Sequence, residues 1–321
     1  MFSNDYTVVL PLVFGGLVLF LYAIRQLSET LRNFLSDKAK TLLERFTNTL
    51  VKSIASGVFI TILLDSSSAV IIILIILINA RTINFKNAIG VIMGANIGTT
   101  ISSQLIAFNI SKYAIILMII GFSVWMFAAS STKKMVGRII LYFGLLFFGL
   151  YLMELSVIPL RESEIFEKWM SQLETPFKGA LIGGFVTLII QSSSATVAML
   201  ITLAKQNLIS LSGALAAMLG AELGTCSDTL LAVIGGTRDA LRAGVFHLLF
   251  NLVPIILALF LFENFKALVL LLSEGMSVQR QIANGHIIFS ILSVLFFLPF
   301  TPYIYKMMIW LIPDRKRINK S

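Results

Sequence analysis

A nine-residue string occurs twice in this chain, each time deep in apolar sequence: T-I-L-L-D-S-S-S-A at 61–69 and T-L-I-I-Q-S-S-S-A at 187–195. Each copy is followed by a second motif, G-A-N-I-G-T-T at 94–100 and G-A-E-L-G-T-C at 220–226. Asp65 and Gln191 are 126 residues apart, and so are Gly94 and Gly220. A shared offset of this kind marks an internal duplication. Upstream, F-G-G-L-V-L-F-L-Y (14–22) is similar to F-G-L-L-F-F-G-L-Y (143–151) at an offset of 129, so the connector that follows differs by three residues between the copies. What is duplicated is a pair of polar, helix-breaking interruptions within membrane-length hydrophobic segments. In hydrocarbon an irregular backbone survives only where it is buried in protein or lines a polar cavity. Two interruptions per repeat point to a transporter whose substrate sits at the repeat interface.

The background is that of an integral membrane protein: 57% hydrophobic and 13% charged residues, with a mean hydropathy of +0.92. The net charge of +9 lies in short juxtamembrane loops, where it encodes topology rather than nucleic-acid binding. Cys226 is the only cysteine, which excludes a disulfide framework and a CxxC metal site. The first six residues lack the basic region of a signal peptide, so the first apolar run reads as a retained membrane helix. Apolar spans are expected at 7–23, 52–80, 87–108, 113–130, 136–155, 177–204, 211–235, 243–262 and 282–300, with an interfacial stretch at 306–310. Residues 25–52 and 159–178 read as amphipathic connectors, solvated surface helices between spans.

Each serine element divides into two short halves. Residues 53–64 would form roughly 18 Å of helix, about half a bilayer crossing. Loop charge favours re-entrant hairpins over crossing spans. If the hairpins return to the face they entered, one side collects 25–52, Arg81, Lys86, Lys133, Lys134, Arg138, Arg238, Arg242, Lys306 and Arg315 to Arg317. The other side collects Asp5, the Glu-rich 161–174 and the loop 263–274. This partition obeys the positive-inside rule. It places the N-terminus outside and the C-terminus in the cytoplasm of a plasma (inner) membrane. Each repeat then crosses an odd number of times, and the two are inverted.

The expected fold is an all-α polytopic membrane protein with two inverted-topology repeats, each holding a re-entrant helical hairpin and a broken membrane helix. Residues 1–130 form the first repeat (hairpin 53–80, broken helix 87–108). Residues 131–262 form the second (hairpin 177–206, broken helix 211–235). A C-terminal helix and basic tail occupy 263–321.

Consecutive serines are good N-caps, so each S-S-S opens a half-helix whose free amides and positive dipole end face the break. Two such ends with six hydroxyls (Ser66, Ser67, Ser68, Ser192, Ser193 and Ser194) suit a tetrahedral oxyanion. At the Gly-rich breaks, backbone carbonyls with Thr99, Thr100 and Thr225 would offer hard oxygens to a cation. The competing use of Ser and Gly is close helix packing. Asp65, Glu222 and Asp228 are intramembrane carboxylates, functional by default. No Lys or Arg lies near Asp65 or Glu222 in sequence, so the partner is read as Na⁺ or H⁺. His247 and His286 read as structural hydrogen-bonding residues. No nucleophile–base pair or transition-metal cluster is visible, which argues against an enzyme and against a bound cofactor.

The serine motif, G-A-N-I-G-T-T and the later H-L-L-F-N at 247–251 resemble the type II sodium/phosphate cotransporters and their bacterial relatives. The resemblance runs from G-L-V-L-F-L-Y (16–22) to A-N-G-H-I-I-F (283–289). It implies sodium-coupled symport of inorganic phosphate by alternating access, with Na⁺ as coupling ion. The serine tips and Gln191 would bind phosphate. Asn96, Gly98 and Thr99 match the first G-A-N-I-G-T. Family members often carry a soluble C-terminal regulatory domain, which this sequence is expected to lack. Two positions depart: Asp65 stands where the family has Gln, and Glu222 where it has Asn. Transport of another anion or a phosphate-bearing lipid, with H⁺ or Na⁺, therefore stays open. So do a non-transporting phosphate sensor and a homodimeric assembly.

Overall fold

The computed structural model describes residues 6–108, 113–156, 168 and 170–314, with side chains from Pro11 onward. Among the described residues the chain is helical, without strands. The first repeat supplies α1 (Tyr6–Arg45), α2 (Leu50–Leu64), α3 (Ser67–Asn79), α4 (Phe85–Ala107) and α5 (Ala114–Phe127). The second supplies α6 (Ser131–Ser156), α7 (Pro176–Ile190), α8 (Ser193–Lys205), α9 (Leu211–Gly224), α10 (Cys226–Ala232) and α11 (Arg238–Phe260). The helices α12 (Phe262–Leu272), α13 (Val278–Phe297) and α14 (Thr301–Leu311) follow. Among the described residues, five stretches are long and apolar enough to cross a bilayer: 11–45, 85–107, 131–156, 238–260 and 278–311. This is a multi-pass membrane protein. The charges expected to set topology at Asp5, within 161–167 and at Arg315 to Arg317 lie outside the described residues.

Both serine elements form as short helix pairs of matching size: 15 and 13 residues in α2 and α3, and 15 and 13 in α7 and α8. None reaches the ~20 residues a helix needs to span hydrocarbon. The outer faces also match. Val51, Phe59 and Ile62 on α2 are exposed, as are Phe177, Phe185 and Leu188 at the equivalent positions of α7. An apolar stripe turned away from the core fits lipid rather than water.

Three expectations are corrected. The Gly-rich segment 87–108 is not broken: α4 runs continuously from Phe85 to Ala107. Its glycines serve close packing instead. A Cβ on Gly94 would lie 2.0 Å from the Ile54 carbonyl oxygen, and one on Gly98 2.6 Å from the Thr61 Cβ. The second repeat copies this: 1.7 Å from Gly220 to the Ala180 oxygen, and 2.6 Å from Gly224 to the Thr187 Cβ. The helix pair α2/α4, and its counterpart α7/α9, are thus pressed backbone to backbone. Only the second Gly-rich segment is interrupted, at Thr225 between α9 and α10. Second, 25–45 is no separate surface helix. With no Gly or Pro between Ala23 and Arg45 to stop it, α1 continues for 40 residues, about 60 Å at 1.5 Å per residue. Ala39 and Leu43 of its charged half are buried in the core built around α2–α4. Third, α5 has only 14 residues, shorter than the span expected at 113–130.

The apolar interior has two centres. One gathers α2, α3 and α4 with α11; the other gathers α8 and α9 with α6, Phe20 and Ile24 of α1, and α13. Each serine element is therefore seated in its own core, and α1 takes part in both.

Candidate functional site

Each serine element breaks in the same way. Asp65 ends α2 at φ 51°, ψ 33°, and Gln191 ends α7 at φ 60°, ψ 30°. Both are left-handed conformations, which for residues other than glycine cost about 1–2 kcal/mol. Such strain persists where surrounding structure fixes it, and it is common at functional sites. The next residue is extended in both copies, Ser66 at φ −161° and Ser192 at φ −152°. Each serine then caps the following helix: the Ser66 hydroxyl accepts from the Ala69 amide at 3.1 Å, and Ser192 from the Ala195 amide at 3.2 Å. Ser67, Ser68, Ser193 and Ser194 fall in the first turn, where amides have no helical acceptor.

The two breaks meet. Asp65, Ser66 to Ser68, Gln191, Ser192 to Ser194, Thr99, Thr225 and Asp228 line one cavity of about 600 Å³. At ~30 Å³ per water this is room for some twenty waters, enough for a hydrated oxyanion with a cation beside it. Segments 126 residues apart in sequence thus present two helix N-termini, six serine hydroxyls and four proposed cation ligands to one volume.

Four further residues of the sequence reading have their polar groups engaged around that cavity or behind it. The Asp65 carboxylate accepts the Ser102 hydroxyl of α4. Asp228 lines the cavity and interacts with Ser68 of the opposite repeat as well as Ser227. Thr99 and Thr225 donate their hydroxyls to carbonyls of their own turns, Ala95 at 3.0 Å and Glu222 at 2.9 Å. Their oxygens keep acceptor capacity.

Asn96, Thr100 and Glu222 do not line the cavity. Asn96 donates to the Ile92 carbonyl at 3.0 Å and Thr100 to Ile97 at 2.7 Å. Glu222 is buried with its Oε1 3.0 Å from Nε2 of His286 on α13, and Nδ1 of that ring lies 2.8 Å from Ser103 Oγ on α4. Glu222 also takes a side-chain hydrogen bond from Ser193 of the second serine tip; its basic partner is a histidine 64 residues away, invisible to a search for nearby basic residues. His247 is also buried, and its Nδ1 has no hydrogen-bond partner among the described residues.

The sequence reading missed one wall. Leu21, Ile24, Arg25, Ser28, Glu29 and Arg32 of α1 also line the cavity. Their spacing of three and four residues puts them on one helical face, a signal that was present once α1 is followed past Ala23.

The family model described as Na⁺/Pi-cotransporter covers residues 19–155 and 161–294. The chain belongs to the Na⁺/Pi-cotransporter family. The chain is 27% identical over 304 residues to "Uncharacterized protein YqeW" of Bacillus subtilis (strain 168), covering 94% of this chain and 98% of that protein. It is 26% identical over 217 residues to "Putative inorganic phosphate export protein YjbB" of Escherichia coli (strain K12), covering 67% of this chain and 40% of that protein. The protein of the same name in Salmonella typhimurium aligns over the same length at 25% identity. No solved structure matches the chain.

Proposed function

We propose that this family member is a secondary-active transporter that carries inorganic phosphate together with Na⁺ by alternating access. The observation that carries the reading is the convergence of two serine-capped helix N-termini on one cavity. Unpaired first-turn amides and hydroxyls donate to anionic oxygens, and the two dipole ends favour negative charge between them. Asp65, Thr99, Thr225 and Asp228 supply oxygens on the same cavity for the cation. A cation held there offsets carboxylates that would otherwise repel phosphate by several kcal/mol in a low-dielectric site. Binding of the two ions is then mutually reinforcing, which is the basis of coupling. Glu222, taken up by His286, is set behind this cation region rather than within it.

In this reading residues 1–130 and 131–262 are inverted repeats and their serine helix pairs enter re-entrantly from opposite faces. The N-terminus is outside, the C-terminus cytoplasmic and the chain sits in the plasma membrane. Rocking of one repeat against the other would expose the cavity to each side in turn. The names of the YjbB relatives support phosphate as the substrate. One observation favours a second reading: Asp65 occupies a position where the resembling family carries an amide. An acid that binds H⁺ or rejects phosphate would make this a carrier of another anion.

Purified protein in proteoliposomes should accumulate labelled phosphate under an imposed Na⁺ gradient and cease when the gradient is collapsed. Binding without accumulation would identify a sensor. Accumulation driven only by a pH gradient would replace Na⁺ with H⁺.

A further inference from the structure

The charged half of α1 carries several cations, and most are already engaged. Arg25 pairs with Glu29 at 3.1 Å. Lys40 pairs with Asp37 at 3.6 Å. Lys38 lies over the Phe34 ring at 5.3 Å and Arg45 over the Phe46 ring at 5.7 Å. Arg32 differs: among the described residues it has no carboxylate partner and no aromatic one. It is exposed, and it lines the same cavity as both serine tips.

We propose that Arg32, with Arg25 one face-turn pair away, forms an anion-recruiting subsite on α1 that selects a divalent tetrahedral oxyanion for the serine tips. This rests on the transporter reading above and adds a specificity determinant to it. Three considerations carry it. The carboxylates on the cavity are Asp65, Asp228 and Glu29, and the basic side chains on it are Arg25 and Arg32. Without cationic help such a volume repels the dianion it is built to hold. A guanidinium is permanently charged and offers two parallel N–H donors to adjacent phosphate oxygens, which a lone hydroxyl or amide cannot. The placement is also rigid: Ile24 and Leu27 beside these positions are buried in the protein, so the helix presents its polar face at a fixed distance from the tips. Arg25 is held back by Glu29, an exposed pair of small energetic weight; an incoming anion competes with that carboxylate for the guanidinium.

The test is phosphate binding to the full-length protein in detergent or nanodiscs, at about 10 mM and about 0.5 M salt, for the native chain, Arg32→Gln, Arg32→Lys and Glu29→Gln. The subsite predicts that Arg32→Gln weakens phosphate binding about tenfold at low salt, and that the gap narrows at high salt as screening shortens the Debye length from about 30 Å to under 10 Å. Arg32→Lys keeps the charge but loses the fork, and should fall between the two. Glu29→Gln frees Arg25 and should tighten binding, a gain that misfolding does not produce. An Arg32→Gln affinity equal to native at low salt overturns the proposal. So does a loss that is insensitive to salt and equal in Arg32→Lys, or a Glu29→Gln variant with no gain. Sulfate is run in parallel. If the native chain ignores phosphate but binds sulfate with the same Arg32 dependence, the substrate assignment fails and the subsite stands. If it binds neither oxyanion, both fail.

Discussion

Replacing Gly94 by alanine adds one methyl group at a place where the backbone of α2 leaves no room. The new Cβ would lie 2.0 Å from the Ile54 carbonyl oxygen and 2.9 Å from the Val58 amide nitrogen. Contact at van der Waals distance then requires α2 and α4 to part by about 1 Å, because backbone atoms, unlike a flexible side chain, cannot swing aside. Alanine gains about 1 kcal/mol over glycine from helix propensity alone. Overpacking of a tight interface loses about 1–3 kcal/mol, and a backbone clash belongs at the upper end. The expected net effect of Gly94→Ala is a loss of about 2 kcal/mol, and Gly220→Ala, 1.7 Å from the Ala180 oxygen, should behave alike. Gly15→Ala is the control, since nothing lies within 4 Å of its Cβ; it should be neutral or slightly stabilising. Because α2 ends at Asp65 and α7 at Gln191, the displacement also reaches the serine tips, and phosphate binding should weaken with stability. Half-inactivation temperatures from a thermal series read by size-exclusion chromatography, with phosphate affinity on the same samples, decide the matter. Gly94→Ala and Gly220→Ala variants as stable as Gly15→Ala would refute the packing role and reopen a broken-helix reading of the glycines.

Other expectations follow from particular contacts. Asp65→Gln, which restores the family residue, should keep phosphate binding while flattening its dependence on Na⁺ concentration; a titration of affinity against Na⁺ that remains as steep as native would remove Asp65 from the cation region. His286→Ala leaves Ser103 without its buried partner and Glu222 with only Ser193, at about 1–3 kcal/mol for a buried group left unsatisfied, so its thermal midpoint should drop clearly; an unchanged midpoint would mean the contact is not structural. Single cysteines at Lys52 and Arg81 should react with a membrane-impermeant reagent from the same face of intact cells, and labelling from opposite faces would sink the re-entrant topology.

The serine elements were legible because the duplication is explicit: a shared offset and two S-S-S caps; the left-handed residue before each, Asp65 and Gln191, emerged only from the structure. The all-helical, multi-pass fold followed from hydropathy. The glycines were harder. G-A-N-I-G-T-T reads as a break by local propensity, yet Gly94 and Gly98 are where α2 presses closest, and that contact is visible only when both helices are placed. Thr225 does interrupt its segment, so near-identical motifs have different backbone outcomes. The charges of 25–52 recur at helical spacing and so read as a solvated connector, although no Gly or Pro between Ala23 and Arg45 stops the helix. Glu222 and His286, 64 residues apart, could not be paired from sequence spacing at all.

The central claim is that both serine tips hold one anion. Isothermal titration of phosphate into the native chain, Ser67→Ala, Ser193→Ala and the double variant tests it most directly. The account predicts one phosphate per chain and a loss of about 1–3 kcal/mol from each single substitution. The double variant should lose less or more than their sum, because both hydroxyls serve one ligand. Native affinity in both single variants, or two independent phosphates each lost with one serine, would contradict it.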